Sequence, residues 1–303
     1  MKKRMLNFLW LWFVSLILNG LLTAQQLPTP TWPNVNYAGN NHTYHMMDIY
    51  LPDDNKKHYP AVVVIYGSAW TSNDKKLSDY QKEVFVMPLA KKGFATVAIN
   101  HRSSTLDAVF PAQIHDVKAV IRFLRARAED FKIDPSFIGI AGYSSGGHLA
   151  ALAGTSSNNK SVEGAVGEYL TYPSHVDAVV DFYGPTDLSV FYDCPITSDK
   201  KLTMKQRTKL FGEDIYDIPD KVQAANPVNY IDENTPPFLI FQGAQDRTVP
   251  ICQSQLLHEA LLAKNIESKL LIKEDGDHCG NNLMPHHTKQ MAAFFHALYN
   301  KQL

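Results

Sequence analysis

The chain has 303 residues, of which 45% are hydrophobic and 19% are charged, and this composition excludes a disordered chain, a coiled coil and a collagen. The 29 lysines and arginines nearly balance the 30 acidic residues, so the charge gives no indication of nucleic-acid binding or of attraction to an anionic membrane. A chain of this length is long enough to bury a large core in a single domain.

The first predicted element is a secretory signal peptide over residues 1–24. Two lysines and an arginine follow Met1, residues 5–18 form an apolar run, and Ala24 offers a cleavage point. A membrane anchor is the alternative, but the run is shorter than the ~20 residues that span a bilayer. We therefore expect a secreted or periplasmic protein made of residues 25–303.

Short apolar runs after this leader predict buried parallel strands. They are rich in Val, Ile and Phe, are bounded by Gly, Pro or Asn, and alternate with helix-forming stretches. The runs are 61–66, 94–99, 137–141, 178–182, 238–241 and 269–273. Residues 43–51 alternate less regularly and predict an antiparallel strand at the leading edge of the sheet.

Helices are predicted between and after these strands. The clearest is 114–128, where apolar residues recur at helical spacing, and 256–263 and 291–299 follow. Alternating strands and helices predict an α/β fold, with a mostly parallel central sheet and helices on both of its faces.

One long stretch, 185–237, interrupts the alternation. It has no strong strand, and its helical patch at 203–211 ends at Gly212. We interpret it as a cap or insertion over the carboxyl ends of the strands, where open α/β folds bind ligands; a plain surface excursion is the alternative. Its basic patch is either a solvated helix face or a contact for uronic acids. The patch consists of Lys200, Lys201, Lys205, Arg207 and Lys209.

A candidate nucleophile lies in residues 142–146, whose sequence is GYSSG. The segment directly follows the predicted strand 137–141 and precedes a helix-forming run. Ser144 would then sit on a tight strand-to-helix turn, with glycines where a Cβ would crowd the strand and the helix. The pattern alone is common, and its position between a strand and a helix is what favours a nucleophile.

A serine hydroxyl needs a base to take its proton and an acid to hold that base. Asp246 and His278 follow Ser144 in the order acid then histidine, each on a loop after a predicted strand. The alternatives are a solvated turn acid and a loop histidine, or a metal cluster that joins His278 with Cys279, His286 and His287. These four lack a recognisable ligand spacing, so we expect neither a metal nor a cofactor.

The negative charge of a tetrahedral intermediate requires hydrogen-bond donors, which form an oxyanion hole. The backbone N–H of Ser145, just after the nucleophile, is one candidate. The loop 66–70, with sequence YGSAW, follows the first predicted parallel strand and should supply the second.

These motifs resemble a family. Residues 110–116 (FPAQIHD), 133–150 (IDPSFIGIAGYSSGGHLA) and 225–230 (ANPVNY), with the Asp246 and His278 loops, are similar to secreted α/β-hydrolase esterases related to hormone-sensitive lipase. Within that group they look most like bacterial acetyl xylan and feruloyl esterases. The resemblance implies the α/β-hydrolase fold and a catalytic triad of Ser144, Asp246 and His278.

The oxyanion loop departs from the family pattern, which is usually His-Gly-Gly-Gly-Trp. Ser68 and Ala69 replace two glycines, so the second donor is left open between Gly67 and Ser68. Tyr66 at the start of this loop also invites comparison with the oxyanion tyrosine of prolyl-oligopeptidase-like peptidases. Trp70 either stacks on a sugar or aryl group or packs in the core.

The sequence therefore predicts a serine hydrolase that cleaves carboxylic esters, with acetyl or feruloyl groups on xylan-type polysaccharide or its oligosaccharides as substrates. Tyr66, Tyr143 and Trp70 are the candidate substrate-binding residues. The alternatives are a lipase or a small serine peptidase on the same scaffold, and a non-catalytic binding protein with the hydrolase fold.

Two further features have structural interpretations. The three cysteines allow at most one disulfide, and Cys252 with Cys279 is the candidate pair if their loops meet; otherwise the thiols are free and buried. Asp116, just after the Phe110–Pro111 pair, is expected to hold structure together rather than to take part in chemistry.

Overall fold

The structure is a computed structural model, and it describes residues 26–71, 76–106, 108–157, 159–191, 194, 208–278 and 284–302. The predicted leader lies outside these ranges, as do Lys200, Lys201, Lys205, Arg207 and Cys279. None of the helices within the ranges combines the length and the apolar character that crossing a bilayer requires.

A mixed sheet forms the centre of the fold. Its strands are β1 (Trp32–Asn36), β2 (Met46–Tyr50), β3 (Tyr59–Ile65), β4 (Ala95–Ile99), β5 (Ile133–Tyr143), β6 (Ala178–Phe182), β7 (Phe238–Gly243) and β8 (Ser268–Lys273). The strand order is β1-β2-β4-β3-β5-β6-β7-β8. The pairs β1–β2 and β2–β4 are antiparallel, and the other neighbours are parallel. The carboxyl ends of the parallel strands therefore meet at one edge.

Helices cover both faces of this sheet. Helix α1 joins three pieces, Asp79–Gln81, Lys82–Val86 and Met87–Ala90, of which the middle one is a π-helical turn. Further helices are α2 (Ala112–Ala126), α3 (Ser145–Thr155), α4 (Pro219–Ala224), α5 (Ile251–Ala263) and α6 (Met284–Gln302), and the described residues 208–211 are also helical. Short 3₁₀ turns occupy Lys160–Val162 and Pro227–Tyr230.

The alternation of side chains along the strands divides the core into two layers. In β3, Val63 and Ile65 face α2, α3 and α5, whereas Val62 and Val64 face α1 and α6. All of these side chains are fully buried. Because both faces of β3, β4, β6 and β7 are covered, these strands are mostly apolar along their length rather than alternating, which is why they are recognisable in the sequence.

The six predicted parallel strands are confirmed as β3 to β8, and 43–51 contains the antiparallel strand β2. Strand β1 was not predicted, because its sequence breaks the regular strand pattern. It contains Pro33, its Asn34 has a φ of 53°, and its register with β2 shifts between Trp32 and Val35. Such a bulged edge strand leaves no period-two alternation to detect.

Helix α1 was also missed, although its sequence carries a start signal. The Ser78 side chain accepts a hydrogen bond from the Gln81 N–H, and the Gln81 side chain reaches back to the Ser78 backbone. This reciprocal capping box is recognisable as Ser-x-x-Gln before an apolar run.

The described parts of the stretch 185–237 pack at the carboxyl edge of the sheet. Leu210 accepts a hydrogen bond from the N–H of Phe110, which follows β4, at 2.9 Å. Thr186 binds Gln253 at the start of α5, through the Gln253 side chain at 2.7 Å and its carbonyl at 2.8 Å. The stretch 185–237 is thereby fixed to segments that follow two parallel strands.

A disulfide joins Cys194 of the stretch 185–237 to Cys252 of α5, with a Cα–Cα separation of 6.0 Å. The expected alternatives for Cys252, a bridge to Cys279 or a free thiol, are both wrong. The Thr186–Gln253 contacts bring the start of the stretch 185–237 onto the start of α5, and this places Cys194 beside Cys252. That neighbourhood arises from tertiary packing across 58 residues of sequence.

Candidate active site

Ser144 lies on the turn between β5 and α3, with φ 55° and ψ −126°. This is a region of backbone conformation that residues with a side chain rarely adopt. A Cβ on Gly142 would come within 2.1 Å of the Gly146 carbonyl oxygen, and one on Gly146 within 2.3 Å of the Ile65 carbonyl oxygen. Both glycines are therefore required by the close approach of backbone segments around the serine.

The His278 ring lies between Ser144 and Asp246. Its Nε2 is 3.0 Å from Ser144 Oγ, and its Nδ1 is 2.7 Å from Asp246 Oδ2. The three side chains follow the carboxyl ends of β5, β7 and β8. A neutral imidazole with its proton on Nδ1 donates to the Asp246 carboxylate and leaves Nε2 free to accept the serine hydroxyl.

The Asp246 carboxylate is held firmly within its own loop. Its Oδ1 accepts hydrogen bonds from the backbone N–H groups of Thr248 at 2.7 Å and Val249 at 2.8 Å. The Gln242 side-chain amide donates to Oδ2 at 3.3 Å, and Asp246 is 3% exposed. These donors fix the carboxylate so that its Oδ2 points at the histidine.

Two other acids lie close to His278 in sequence, Asp275 and Asp277, and both are exposed. Asp275 pairs with the Lys273 ammonium group, and this hydrogen bond lowers the pKa of the carboxyl. The carboxylate that accepts the hydrogen bond of the His278 Nδ1–H is that of Asp246, which is more distant in sequence.

The loop 66–70 packs against the serine turn. A Cβ on Gly67 would come within 2.6 Å of the Tyr143 carbonyl oxygen and 2.8 Å of Ser144 Cβ, so a side chain does not fit there. The Ser68 N–H donates to Ser145 Oγ at 2.9 Å. Ser68 is one of the two candidates for the second oxyanion donor. Its N–H is thus hydrogen-bonded to the side chain of the residue after the nucleophile.

The same loop places two residues that carry side chains in the left-handed region. Ala69 has a φ of 52° and Trp70 a φ of 62°. Each such residue costs roughly 1–2 kcal/mol relative to the right-handed region. The family pattern His-Gly-Gly-Gly-Trp has a glycine at the position of Ala69, where it would avoid this cost.

The three candidate substrate-binding residues are all buried. Trp70 is 4% exposed and donates its indole N–H to His148. Tyr66 stacks on His101 with a centroid distance of 5.4 Å. Tyr143 stacks on Phe85 at 5.8 Å and accepts a hydrogen bond from the Gln81 side chain.

Tyr183, which the sequence analysis did not single out, contacts the histidine of the site. Its buried ring meets His278 edge-on at a centroid distance of 4.8 Å, and its φ is 46°. The hydroxyl donates to the Met284 sulfur at 3.5 Å. Its position directly after β6, at the same sheet edge as the catalytic candidates, was the signal available in the sequence.

Asp181 in β6 supports the turn from behind. Its Oδ1 accepts the Gly184 N–H at 2.9 Å, and a Cβ on Gly147 would come within 2.1 Å of that oxygen. Burial raises the pKa of Asp181 to about 7, against the lowering effect of the Gly184 hydrogen bond. The carboxyl therefore sits tightly between β6 and the start of α3.

Asp116 has the structural role expected for it. It accepts hydrogen bonds from the backbone N–H of Arg102 at 2.7 Å and from its guanidinium at 2.8 Å, and His45 Nε2 lies 3.3 Å away. Burial acts to raise the pKa of Asp116, but the hydrogen bonds from His45 and Arg102 hold it below its usual value. The Asp116–Arg102 pair anchors the segment after β4 to α2.

Within the described residues, no group of three or more His, Cys, Asp or Glu side chains is placed to hold a metal ion. His287, one of the histidines of the alternative metal cluster, packs its ring on Phe241 with a centroid distance of 4.7 Å.

Comparison with known proteins places this arrangement among esterases. The chain matches the BD-FAE family over residues 47–261. Esterase LipQ from Mycobacterium tuberculosis is 29% identical over 256 residues, which cover 80% of this chain and 57% of LipQ. An acetylxylan esterase from Xylanibacter ruminicola is 25% identical over 221 residues, 72% of this chain and 40% of that protein.

A solved structure described as a truncated form of a carbohydrate esterase from gut microbiota is 39% identical to this chain. It has a TM-score of 0.83 and covers 91% of this chain and 98% of its own. These likenesses confirm the predicted α/β-hydrolase fold and the predicted family resemblance. The chain spans about half the length of the curated relatives it matches.

Proposed function

This chain belongs to the BD-FAE family, and we propose that it is a serine hydrolase that cleaves carboxylic esters through an acyl-enzyme on Ser144. The observation that carries the proposal is the position of the His278 ring, 3.0 Å from Ser144 Oγ and 2.7 Å from Asp246 Oδ2. A base that reaches the nucleophile with one nitrogen and a buried acid with the other is the arrangement that activates a serine hydroxyl.

In the first half of the reaction, Ser144 Oγ attacks the ester carbonyl carbon while its proton passes to His278 Nε2. The tetrahedral intermediate collapses when the bond to the alcohol oxygen breaks. His278 gives the proton to that oxygen, and the alcohol leaves. Asp246 holds the Nδ1–H throughout and stabilises the imidazolium that forms transiently.

In the second half, a water molecule attacks the acyl carbon of the ester on Ser144. His278 takes a proton from the water and returns it to Ser144 Oγ as the carboxylic acid leaves. The Ser145 N–H and a backbone N–H of the 66–70 loop, from Gly67 or Ser68, stabilise the oxyanion in both halves. The reaction needs no cofactor.

We propose acetyl or feruloyl esters on xylan-type polysaccharide, or on its oligosaccharides, as the substrates. Support comes from relatives described as an acetylxylan esterase and as a carbohydrate esterase. The near-neutral charge of the chain is consistent with an uncharged sugar substrate rather than a nucleic acid.

We further propose that the protein acts outside the cytoplasm, after removal of residues 1–24. The apolar run behind a basic start supports a secretory leader. The Cys194–Cys252 disulfide supports the same compartment independently, because such bridges persist in oxidising surroundings.

The test combines a covalent probe with a panel of substrates. A fluorophosphonate probe should label the parent protein and leave Ser144→Ala unlabelled, because the probe reacts with an activated serine. Acetyl, butyryl and feruloyl esters, acetylated xylan and a peptide substrate then report the acyl and leaving groups. A labelled protein that cleaves the peptide faster than every ester would contradict ester hydrolysis, and an unlabelled parent would favour a binding protein.

A further inference from the structure

The loop that faces the serine turn has a backbone its own residues do not favour. Ala69 and Trp70 both have positive φ, and they follow each other directly. Isolated residues with side chains visit this region, but two in succession require surroundings that hold them there. The contacts of this loop therefore indicate what keeps it in place.

The first contact comes from the residue after the nucleophile. Ser145 Oγ accepts the Ser68 N–H at 2.9 Å, and Ser145 is 2% exposed. Ser68 itself is half-buried, and a backbone N–H that is shielded from water needs an acceptor. In a chain with alanine at position 145, the Ser68 N–H would lose this side-chain partner.

The second contact comes from His148, one turn further along α3. Its Nδ1 accepts the Trp70 indole N–H at 3.0 Å, and its Nε2 lies 2.7 Å from the Ala225 carbonyl oxygen. The neutral ring with its proton on Nε2 satisfies both partners, since an indole N–H can only donate and a carbonyl can only accept. Burial lowers the pKa of His148 to about 4, against a raising effect of the Ala225 hydrogen bond, so the ring is neutral near neutral pH.

Ser145 and His148 are three residues apart and lie on the same side of α3. The helix that begins directly after Ser144 therefore also holds the loop 66–70 at both ends of its strained segment. Through Ala225, the same histidine is tied to the region just before the Pro227–Tyr230 turn.

We propose that Ser145 Oγ and His148 are positioning residues that lock the strained Ser68–Trp70 backbone onto helix α3, so that the oxyanion donors keep a fixed distance from Ser144. The inference rests on the proposed function and adds to it two side chains that touch no reacting atom. Donors placed before the reaction stabilise the oxyanion without rearranging, so a loosened loop lowers the rate of the chemical step more than substrate binding.

A competing interpretation of the Ser145 hydroxyl predicts the opposite change in kcat for Ser145→Ala. If its hydroxyl merely occupies the Ser68 N–H in the free protein, substrate must displace it, and Ser145→Ala should then raise kcat. If it holds the loop, Ser145→Ala should lower kcat by ~10-fold, with KM changed by less than ~3-fold. The control is Ser156→Ala at the far end of α3, which also removes a buried hydroxyl hydrogen bond.

The His148 link is tested by replacing each half of its ring separately. His148→Asn can place an amide oxygen near the position of Nδ1 and accept from Trp70, whereas His148→Gln can place an amide N–H near Nε2 and donate to Ala225. We expect kcat of His148→Asn to exceed that of His148→Gln by ~10-fold. Trp70→Phe keeps an aromatic ring but loses the N–H, so its kcat should be as low as that of His148→Gln.

The measurements are kcat and KM for p-nitrophenyl acetate, the inhibition constant of a boronic acid that forms a tetrahedral adduct with the serine, and the melting temperature. A positioning role predicts that boronic-acid affinity falls in parallel with kcat. Equal kcat in His148→Asn and His148→Gln, or an unchanged or higher kcat in Ser145→Ala, would overturn the inference. An inactive parent protein would instead overturn the proposed function.

Discussion

The serine turn at 142–146 and the oxyanion loop at 66–70 solve the same problem differently. Both bring backbone segments into close contact, and both contain left-handed residues. In the turn, Gly142 and Gly146 leave room for the neighbouring backbone, so residue type encodes the geometry. In the loop, the left-handed conformation is unfavourable for Ala69 and Trp70, and hydrogen bonds that the loop donates to α3 hold it in place. Glycines make the close approaches of the turn possible, whereas Ala69 and Trp70 of the loop depend on contacts with α3.

The largest effect is expected at Ser144, the residue of the turn that is not glycine although its φ is positive. Ser144→Ala should lower turnover of p-nitrophenyl acetate by at least ~10⁴-fold while the protein stays folded, because Oγ is needed for covalent chemistry. Ser144→Gly should be equally inactive but should raise the melting temperature by about 2 °C through release of backbone strain. Activity within tenfold of the parent in either variant would mean that another residue is the nucleophile.

A second large effect is expected at the acid, which neither region contains and which tertiary structure brings to His278. Asp246→Asn should lower kcat by ~10⁴-fold because it favours the wrong imidazole tautomer. In the parent, kcat/KM should rise with pH as His278 loses its proton, since the neutral histidine is the base. The pH–rate profiles are compared with those of Asp275→Asn and Asp277→Asn. If Asp275 or Asp277 were the acid of the triad, its Asn variant would lose activity while Asp246→Asn kept a kcat close to that of the parent.

An intermediate effect is expected when the turn loses the feature that encodes it. Gly146→Ala would push a Cβ to 2.3 Å from the Ile65 carbonyl oxygen, so urea denaturation should show a loss of about 3 kcal/mol in the free energy of unfolding. Gly154→Ala on the same helix is the control, because its Cβ would meet the Val179 side chain rather than backbone. It should lose less, about 1 kcal/mol. Similar losses in both variants would argue against an obligatory glycine in the turn.

The smallest effect is expected in the oxyanion loop. Ala69→Gly relieves a left-handed alanine but adds freedom to the unfolded chain, so the free energy of unfolding should rise by at most about 1 kcal/mol. If contacts rather than residue type hold the loop, kcat should stay within ~2-fold. A large fall in kcat would show that the alanine itself rigidifies the loop, and the contrast between the two regions would then disappear.

The buried strands and the serine turn were predictable because their information is local. A parallel strand covered on both faces is a run of apolar residues, and a turn that admits no Cβ requires glycine. Strand β1 was not predictable in the same way, since its bulge and its proline remove the alternation on which strand prediction depends. Helix α1 was predictable from the Ser78–Gln81 capping box.

The sequence by itself determined the α/β class, the order of the parallel strands along the chain, and the candidates Ser144, Asp246 and His278 at strand ends. Tertiary structure alone decided that Cys194 pairs with Cys252, that Tyr183 packs on His278, and that Ser145 and His148 hold the loop 66–70. The physical reason is range. A buried strand and a tight turn each leave a pattern in residues that are adjacent in sequence. The hydrogen bonds and the disulfide named above instead join side chains that packing brings together from distant segments.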